Sequence, residues 1–231
     1  MRMMTSDVSF QQAKRSQTSF LAALEKRTLL WIANRLPASI HSDHLTILGF
    51  VSLLAAGALF WYSRVNRAAV PLAIVFLALN WFGDSLDGTV ARVRNKQRPR
   101  YGFYVDHILD AVGMFFLMSG LALSGFMTPA VAYAFLIGYF LLSIEIYLAT
   151  YTIGTFHLSH WNFGPTELRI LLAVGSLVAI FRPYSIIAGR SFLLFDVGFA
   201  IGTAGLVLVL AQAVILHTRA LYQLETHDPV A

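Results

Sequence analysis

Long apolar stretches separated by short polar ones dominate the chain, recurring at about 45–63, 68–83, 103–124, 128–150, 168–181 and 192–216. Most reach or approach the ~20 residues that a helix needs to cross a bilayer. The pattern predicts an all-α fold, an integral membrane six-transmembrane-helix bundle whose fifth span is short. Upstream, "FLAALEKRTLLWIANRL" (20–36) has a different rhythm: Leu21, Leu24, Thr28, Trp31 and Ile32 share one helical face, and Lys26 and Arg27 point elsewhere. That spacing predicts an amphipathic helix lying on the membrane surface, although an amphipathic helix packed on protein reads similarly. Pro37 ends it, and "SDHLT" opens the first span with cap-type residues. Residues 1–18 are polar and expected to be poorly ordered. With no internal repeat and no long linker, one domain is expected: an N-terminal segment 1–44 with the interfacial helix, a six-helix domain 45–217 and a tail 218–231.

Composition agrees with the pattern. Of 231 residues, 57% are hydrophobic and 13% charged, with a mean hydropathy of +0.66; a soluble domain carries about twice that charged fraction. The absence of cysteine excludes disulfides, thiolate zinc sites and cysteine nucleophiles. The first 40 residues are polar and basic and lead into a full-length span, so no cleavable signal peptide is expected. With six spans, both termini and the loops after the second and fourth spans share one side. All of the 17 Lys and Arg residues except Arg64, Arg67, Arg182 and Arg190 fall there. The excess of positive charge assigns that side to the cytoplasm and the chain to the plasma (inner) membrane. Nothing in the sequence points to nucleic acid.

Charge changes the picture most at "GDSLDGTVARVRNKQRPRYGFYVDHILD" (83–110), where four aspartates flank a basic turn between two apolar runs. Asp84, Asp87, Gly88 and Ala91 fall at i, i+3, i+4 and i+7, one stripe of a continuing helix, and Gly102, Asp106 and Asp110 repeat the arrangement on the next. A short turn makes these helices antiparallel neighbours whose acidic stripes can face each other. An Asp inside a bilayer span costs roughly 2.5–3.5 kcal/mol, and carboxylates crowded together also repel. A divalent cation offsets both, and carboxylate oxygens suit Mg²⁺, Mn²⁺ or Ca²⁺. The small residues would let a ligand approach the backbone. Carboxylates on a solvated helix end would need neither the shared face nor the small residues.

"DSLDGTVAR…GFYVDHILD" resembles the signature of the CDP-alcohol phosphotransferases (CDP-alcohol phosphatidyltransferase class I): D-x-x-D-G-x-x-A-R, a variable turn, then G-x-x-x-D-x-x-x-D. All eight signature residues match, namely Asp84, Asp87, Gly88, Ala91, Arg92, Gly102, Asp106 and Asp110. The turn is one residue longer than usual, nine residues between Arg92 and Gly102, an insertion in an exposed turn that should leave both helices in register. The resemblance implies a metal-dependent enzyme of phospholipid biosynthesis. It would transfer a substituted phosphoryl group, a phosphatidyl group where CDP-diacylglycerol is the donor, to an alcohol and release CMP. Asp84, Asp87, Asp106 and Asp110 would hold one or two Mg²⁺ or Mn²⁺ ions, with Asp110 also the general base. Gly88, Ala91 and Gly102 would line the donor site, with Arg92 near phosphate unless it is only a positive-side anchor. A homodimer is implied in the same way.

Weaker signals surround this core. His107, after the third aspartate, is similar to the choline and ethanolamine branch of the family, so CDP-choline or CDP-ethanolamine with a diglyceride acceptor is the alternative; His107 would contact a headgroup or orient a carboxylate. Glu145, inside the fourth span, is a functional suspect or a structural partner of a residue such as Arg169. "FGPTELRIL" starts the fifth span at Pro165, and Arg169 could receive an anionic acceptor or anchor the topology. His157 and His160, lacking a third nitrogen or sulfur ligand, read as solvated loop residues and not as a zinc site. A cation channel or transporter would spread its carboxylates through the membrane depth and across repeated halves; here they cluster at one level.

Overall fold

A computed structural model describes residues 22–153 and 165–227 of the chain. The elements in order are α1 (Ala22–Ala33), α2 (Ser42–Tyr62), α3 (Ala69–Val93), α4 (Pro99–Ser124), α5 (Pro129–Ile153), α6 (Pro165–Phe181), β1 (Tyr184–Ile187), β2 (Arg190–Leu193) and α7 (Leu194–His227). His157 and His160 lie outside the described residues, as does the segment 1–18. The architecture is an all-α membrane-embedded bundle with one short hairpin. Helices are what a bilayer permits, because each satisfies its own backbone polar groups. Large apolar side chains such as Ile47, Val51, Leu72, Leu148 and Leu208 are exposed on the outside, as lipid-facing residues are. Phe60, Val70, Ala73, Leu121 and Ala132 form the closed interior.

Among the described residues, five helices are long and apolar enough to cross a membrane: α2, α3, α4, α5 and α7. The expected fifth span is α6, which has only 17 residues. It extends about 25 Å against a hydrocarbon core of about 30 Å. The chain then turns at Pro183 into the antiparallel hairpin β1–β2, which pairs Tyr184 with Leu193 and Ile187 with Arg190. Ala188 and Gly189 turn it with positive φ of 49° and 77°, as tight hairpins of right-handed twist require. Sequence pattern missed this hairpin because Ala is a poor residue for that conformation.

On the interfacial helix α1, Leu29 and Ala33 pack on Leu45, Leu86 and Val90, while Trp31 of the apolar face is 58% exposed with the Arg35 guanidinium 4.0 Å from its ring centroid. Contact with α3 decides the orientation. At the start of α2 the N-cap is His41, whose backbone N–H donates to His44 Nδ1 at 3.2 Å, while the Ser42 hydroxyl donates to the Asp87 carbonyl at 3.0 Å.

Glycines set the spacing of the three central helices. A Cβ on Gly83 would sit 2.5 Å from the Leu45 carbonyl oxygen, and one on Gly120 would sit 2.0 Å from the Gly57 oxygen. Backbones approach this closely only where side chains are absent. Because neither helix can yield locally, Gly120→Ala is expected to cost at least the ~1–3 kcal/mol typical of overpacking. The check is thermal unfolding of the purified variant in detergent, with a markedly lower midpoint than wild type.

Candidate functional site

Helix α3 continues ten residues past its apolar run and α4 begins four residues before its own, so the polar ends of both stand beside the start of α2. The Gly49–Gly83 crossing sits directly under this region: a Cβ on Gly49 would meet the Asp84 backbone nitrogen at 3.2 Å. Asp84 from α3 and Asp106 and Asp110 from α4 converge there, each offering a carboxylate oxygen within 4.8 Å of the others. The extra residue in the turn therefore leaves the two halves facing each other; Asn95, at φ 54°, absorbs part of the reversal.

Those three oxygens fit a hard divalent cation, since metal–oxygen distances of about 2.0–2.6 Å place ligand oxygens on one ion up to roughly 4–5 Å apart. The cleft they share with Thr46, Gly49, Phe50, Leu53, Asn80, Asp87 and Leu109 has a volume of about 20 Å³, room for one water or ion. The group is capable of metal coordination.

Asp87 lines the same cleft but stands outside that group. Its carboxylate accepts from the Thr46 hydroxyl at 2.7 Å and from the Gly88 N–H. Gly88 and Gly102 are not explained by packing. A Cβ on Gly102 would meet nothing within 4 Å, and one on Gly88 would meet only the Arg92 side chain at 3.4 Å. Arg92 donates to Thr89 at 3.0 Å. Ala91 faces a second, wider cleft of about 360 Å³, shared with His41, Ser42, Arg94, Lys96 and Arg98. Ser42 lines it while bonding the Asp87 carbonyl, so the two clefts adjoin. Arg94 braces this wall by donating to the Ile40, Leu36 and Pro37 carbonyls, and Arg98 pairs with Asp43.

The outer residues land differently. His107 Nδ1 lies 2.6 Å from the Phe103 carbonyl oxygen, and its ring meets Tyr147 edge-on at 5.0 Å. Glu145 is paired, but with His217 on α7 at 2.5 Å and not with Arg169. Arg169 instead donates to Asp84 Oδ2 at 2.6 Å, joining α6 to the acidic group. Sequence had no way to choose the partners of Glu145 and Arg169, because those two pairs span 72 and 85 positions.

Two side chains escaped sequence reasoning. Asn80, one turn before Asp84, is buried in the cleft wall. Glu25 on α1 accepts from Trp81 Nε1 at 2.9 Å, Ser85 Oγ at 3.2 Å and Thr166 Oγ1 at 3.0 Å. It thereby ties α1 to α3 beside Asp84 and to α6 one turn from Arg169. Hydrogen bonds to a charged acceptor contribute about 1.5–3 kcal/mol each. Glu25→Ala is therefore expected to lower the unfolding midpoint clearly and Glu25→Gln, which keeps an acceptor oxygen, to lower it less; equal midpoints for both variants and wild type would show that this carboxylate holds nothing.

The fold and site thus define an integral membrane helical protein with a carboxylate cluster suited to a divalent ion. Residues 40–216 match the family model described as CDP-alcohol phosphatidyltransferase, and the chain belongs to that enzyme family. It is 28% identical over 166 residues to an uncharacterized CDP-alcohol phosphatidyltransferase class-I family protein of Dictyostelium discoideum, covering 65% of this chain and 41% of the relative. It is 31% identical over 105 residues to an archaetidylinositol phosphate synthase of Pyrococcus horikoshii, covering 45% of this chain and 52% of the relative. The matched region spans about half or less of the length of these curated relatives.

Proposed function

We propose that the chain transfers a substituted phosphoryl group from a CDP-linked donor, CDP-diacylglycerol first among them, to an alcohol and releases CMP. The observation that carries this reading is the convergence of Asp84, Asp106 and Asp110 from both halves of the family signature. In it, α6 with the hairpin completes a sixth span, domain limits follow the sequence expectation, and the acidic end of the bundle faces the cytoplasm. A lipid substrate and a water-soluble one can meet there at headgroup depth.

Asp84, Asp106 and Asp110 would hold Mg²⁺ or Mn²⁺, with Asp87 kept close by Thr46 for a second ion or for substrate. The bound ion would neutralise the charge that grows on the departing CMP. The adjoining cleft has room for the nucleotide end of the donor, and its Lys96 would supply positive charge toward phosphate. The open space at Gly88 and Gly102 leaves the backbone approachable. Asp110, at the inner end of the acidic stripe, takes the proton of the attacking hydroxyl. Gly88→Ala then has a double outcome. It removes a glycine that costs about 1 kcal/mol inside a helix, so thermal stability should hold or rise, while the donor concentration for half-maximal rate increases.

The acceptor is found by experiment. Purified protein in lipid vesicles is given CDP-diacylglycerol, Mg²⁺ and separate acceptors: inositol phosphate, which the name of the Pyrococcus relative puts first, then glycerol phosphate, uncharged alcohols and aminoalcohols. Mass spectrometry should detect one new phospholipid with stoichiometric CMP. A product formed only from CDP-choline or CDP-ethanolamine with diglyceride would replace the donor assignment.

A further inference from the structure

Asn80 is the one buried polar side chain in the acidic cleft whose hydrogen-bonding is half complete among the described residues. It is 3% exposed. Its Nδ2 donates to the Gly49 carbonyl at 3.0 Å, which fixes the amide, because the reverse orientation would set two oxygens against each other. Oδ1 is then buried with no donor. A buried carbonyl left bare costs about 1–3 kcal/mol, and a leucine at this position would avoid that cost.

The neighbours cannot supply what is missing. No hydrogen bond to Oδ1 comes from the carboxyl groups around it, and the Thr46 hydroxyl is spent on Asp87 and on its own helix. A cation or a hydrogen-bond donor in the cleft beside the carboxylates would also serve Oδ1. Main-chain support between α2 and α3 uses Nδ2 alone and leaves Oδ1 without a purpose.

We propose that Asn80 is a neutral oxygen ligand of the acidic cleft, its Oδ1 holding the same divalent ion as Asp84, Asp106 and Asp110 or a water bound to that ion. The proposal rests on the metal-site reading above. A neutral amide beside three carboxylates adds an oxygen without adding charge, which favours a small, strongly hydrated cation that shares its shell with water and phosphate. Asn80 is thus a ligand residue that the signature does not contain.

The test is Mn²⁺ binding to the purified full-length protein in detergent, read by electron paramagnetic resonance without any substrate. Wild type, Asp106→Asn, Asn80→Ala and Asn80→Asp are compared after size-exclusion chromatography. Loss of one supporting oxygen weakens metal affinity by about tenfold or more, so Asn80→Ala should bind Mn²⁺ at least tenfold more weakly. Asn80→Asp keeps the oxygen, adds charge and loses the bond to Gly49; it should bind Mn²⁺ as tightly as wild type or tighter. If both variants weaken binding equally, the side chain acts only through Gly49 and the proposal is overturned, and unchanged binding in Asn80→Ala overturns it as well. In either case Mn²⁺ binding by wild type that Asp106→Asn abolishes would leave the metal site standing. Absence of Mn²⁺ binding by wild type would remove the metal site and this proposal together. Should Asn80→Ala not fold, Asn80→Asp alone decides: tight binding supports the proposal, weak binding overturns it.

Discussion

Asp110→Asn is expected to lower the rate of CMP release by about 10²–10⁴-fold, the range that general-base assistance contributes, with donor binding largely retained. The substitution keeps the shape of the side chain and removes its capacity to take a proton. Asp110 is positioned for that role by α4, one turn beyond Asp106, with the Asp84 carboxylate across the cleft. Turnover measured directly as CMP, beside a binding measurement with the nucleotide donor, separates the two effects. Near wild-type turnover would remove Asp110 from the chemistry, whereas loss of binding and turnover together would make it a ligand residue and nothing more.

Stripping divalent ions should have the other large effect. Three carboxylates each offering an oxygen within 4.8 Å of the others repel unless positive charge offsets them, and the Arg169 guanidinium is bonded to Asp84. Treatment with a chelator is expected to abolish CMP release and Mg²⁺ or Mn²⁺ to restore it. Binding to the folded state alone also stabilises it, by about 2.7 kcal/mol at a concentration one hundred times the dissociation constant. The unfolding midpoint should therefore rise with Mg²⁺ in wild type and stay flat in Asp106→Asn. A midpoint that rises equally in both would mean that the ion binds elsewhere.

The sequence made the membrane class and the acidic core legible because both depend on local spacing. Apolar run length sets the helices, and i, i+4 repetition puts Asp106 and Asp110 on one face whatever they pack against. The polar ends of α3 and α4 were legible through the i, i+3, i+4 spacing of their aspartates and small residues, although the apolar runs alone stop short of them. The hairpin at Tyr184–Leu193 was hidden by an Ala-Gly turn, and the 17-residue α6 just before it read as a short span.

Partner choice was out of reach altogether. Glu145 was a suspect from its position in the span, and His217, its partner, lies on a helix 72 positions away. Arg169 looked ready for an anionic acceptor, and the fold gives it Asp84. Glu25 and Asn80 belong to no motif. A glutamate on an amphipathic helix reads as its solvated face, and Asn80 stands in the middle of α3 with no motif around it. Only the arrival of Trp81, Ser85 and Thr166 around the first, and of Gly49 beside the second, gives either a role.

The most direct test of the central claim is CMP release by the purified protein in lipid vesicles, with CDP-linked donors and mixed alcohol acceptors, with and without Mg²⁺. CMP formed only when Mg²⁺, donor and acceptor are all present, and lost in Asp106→Asn, is the predicted result. CMP release that ignores Mg²⁺ or survives Asp106→Asn, or none from any donor by protein shown to bind the ion, would contradict it.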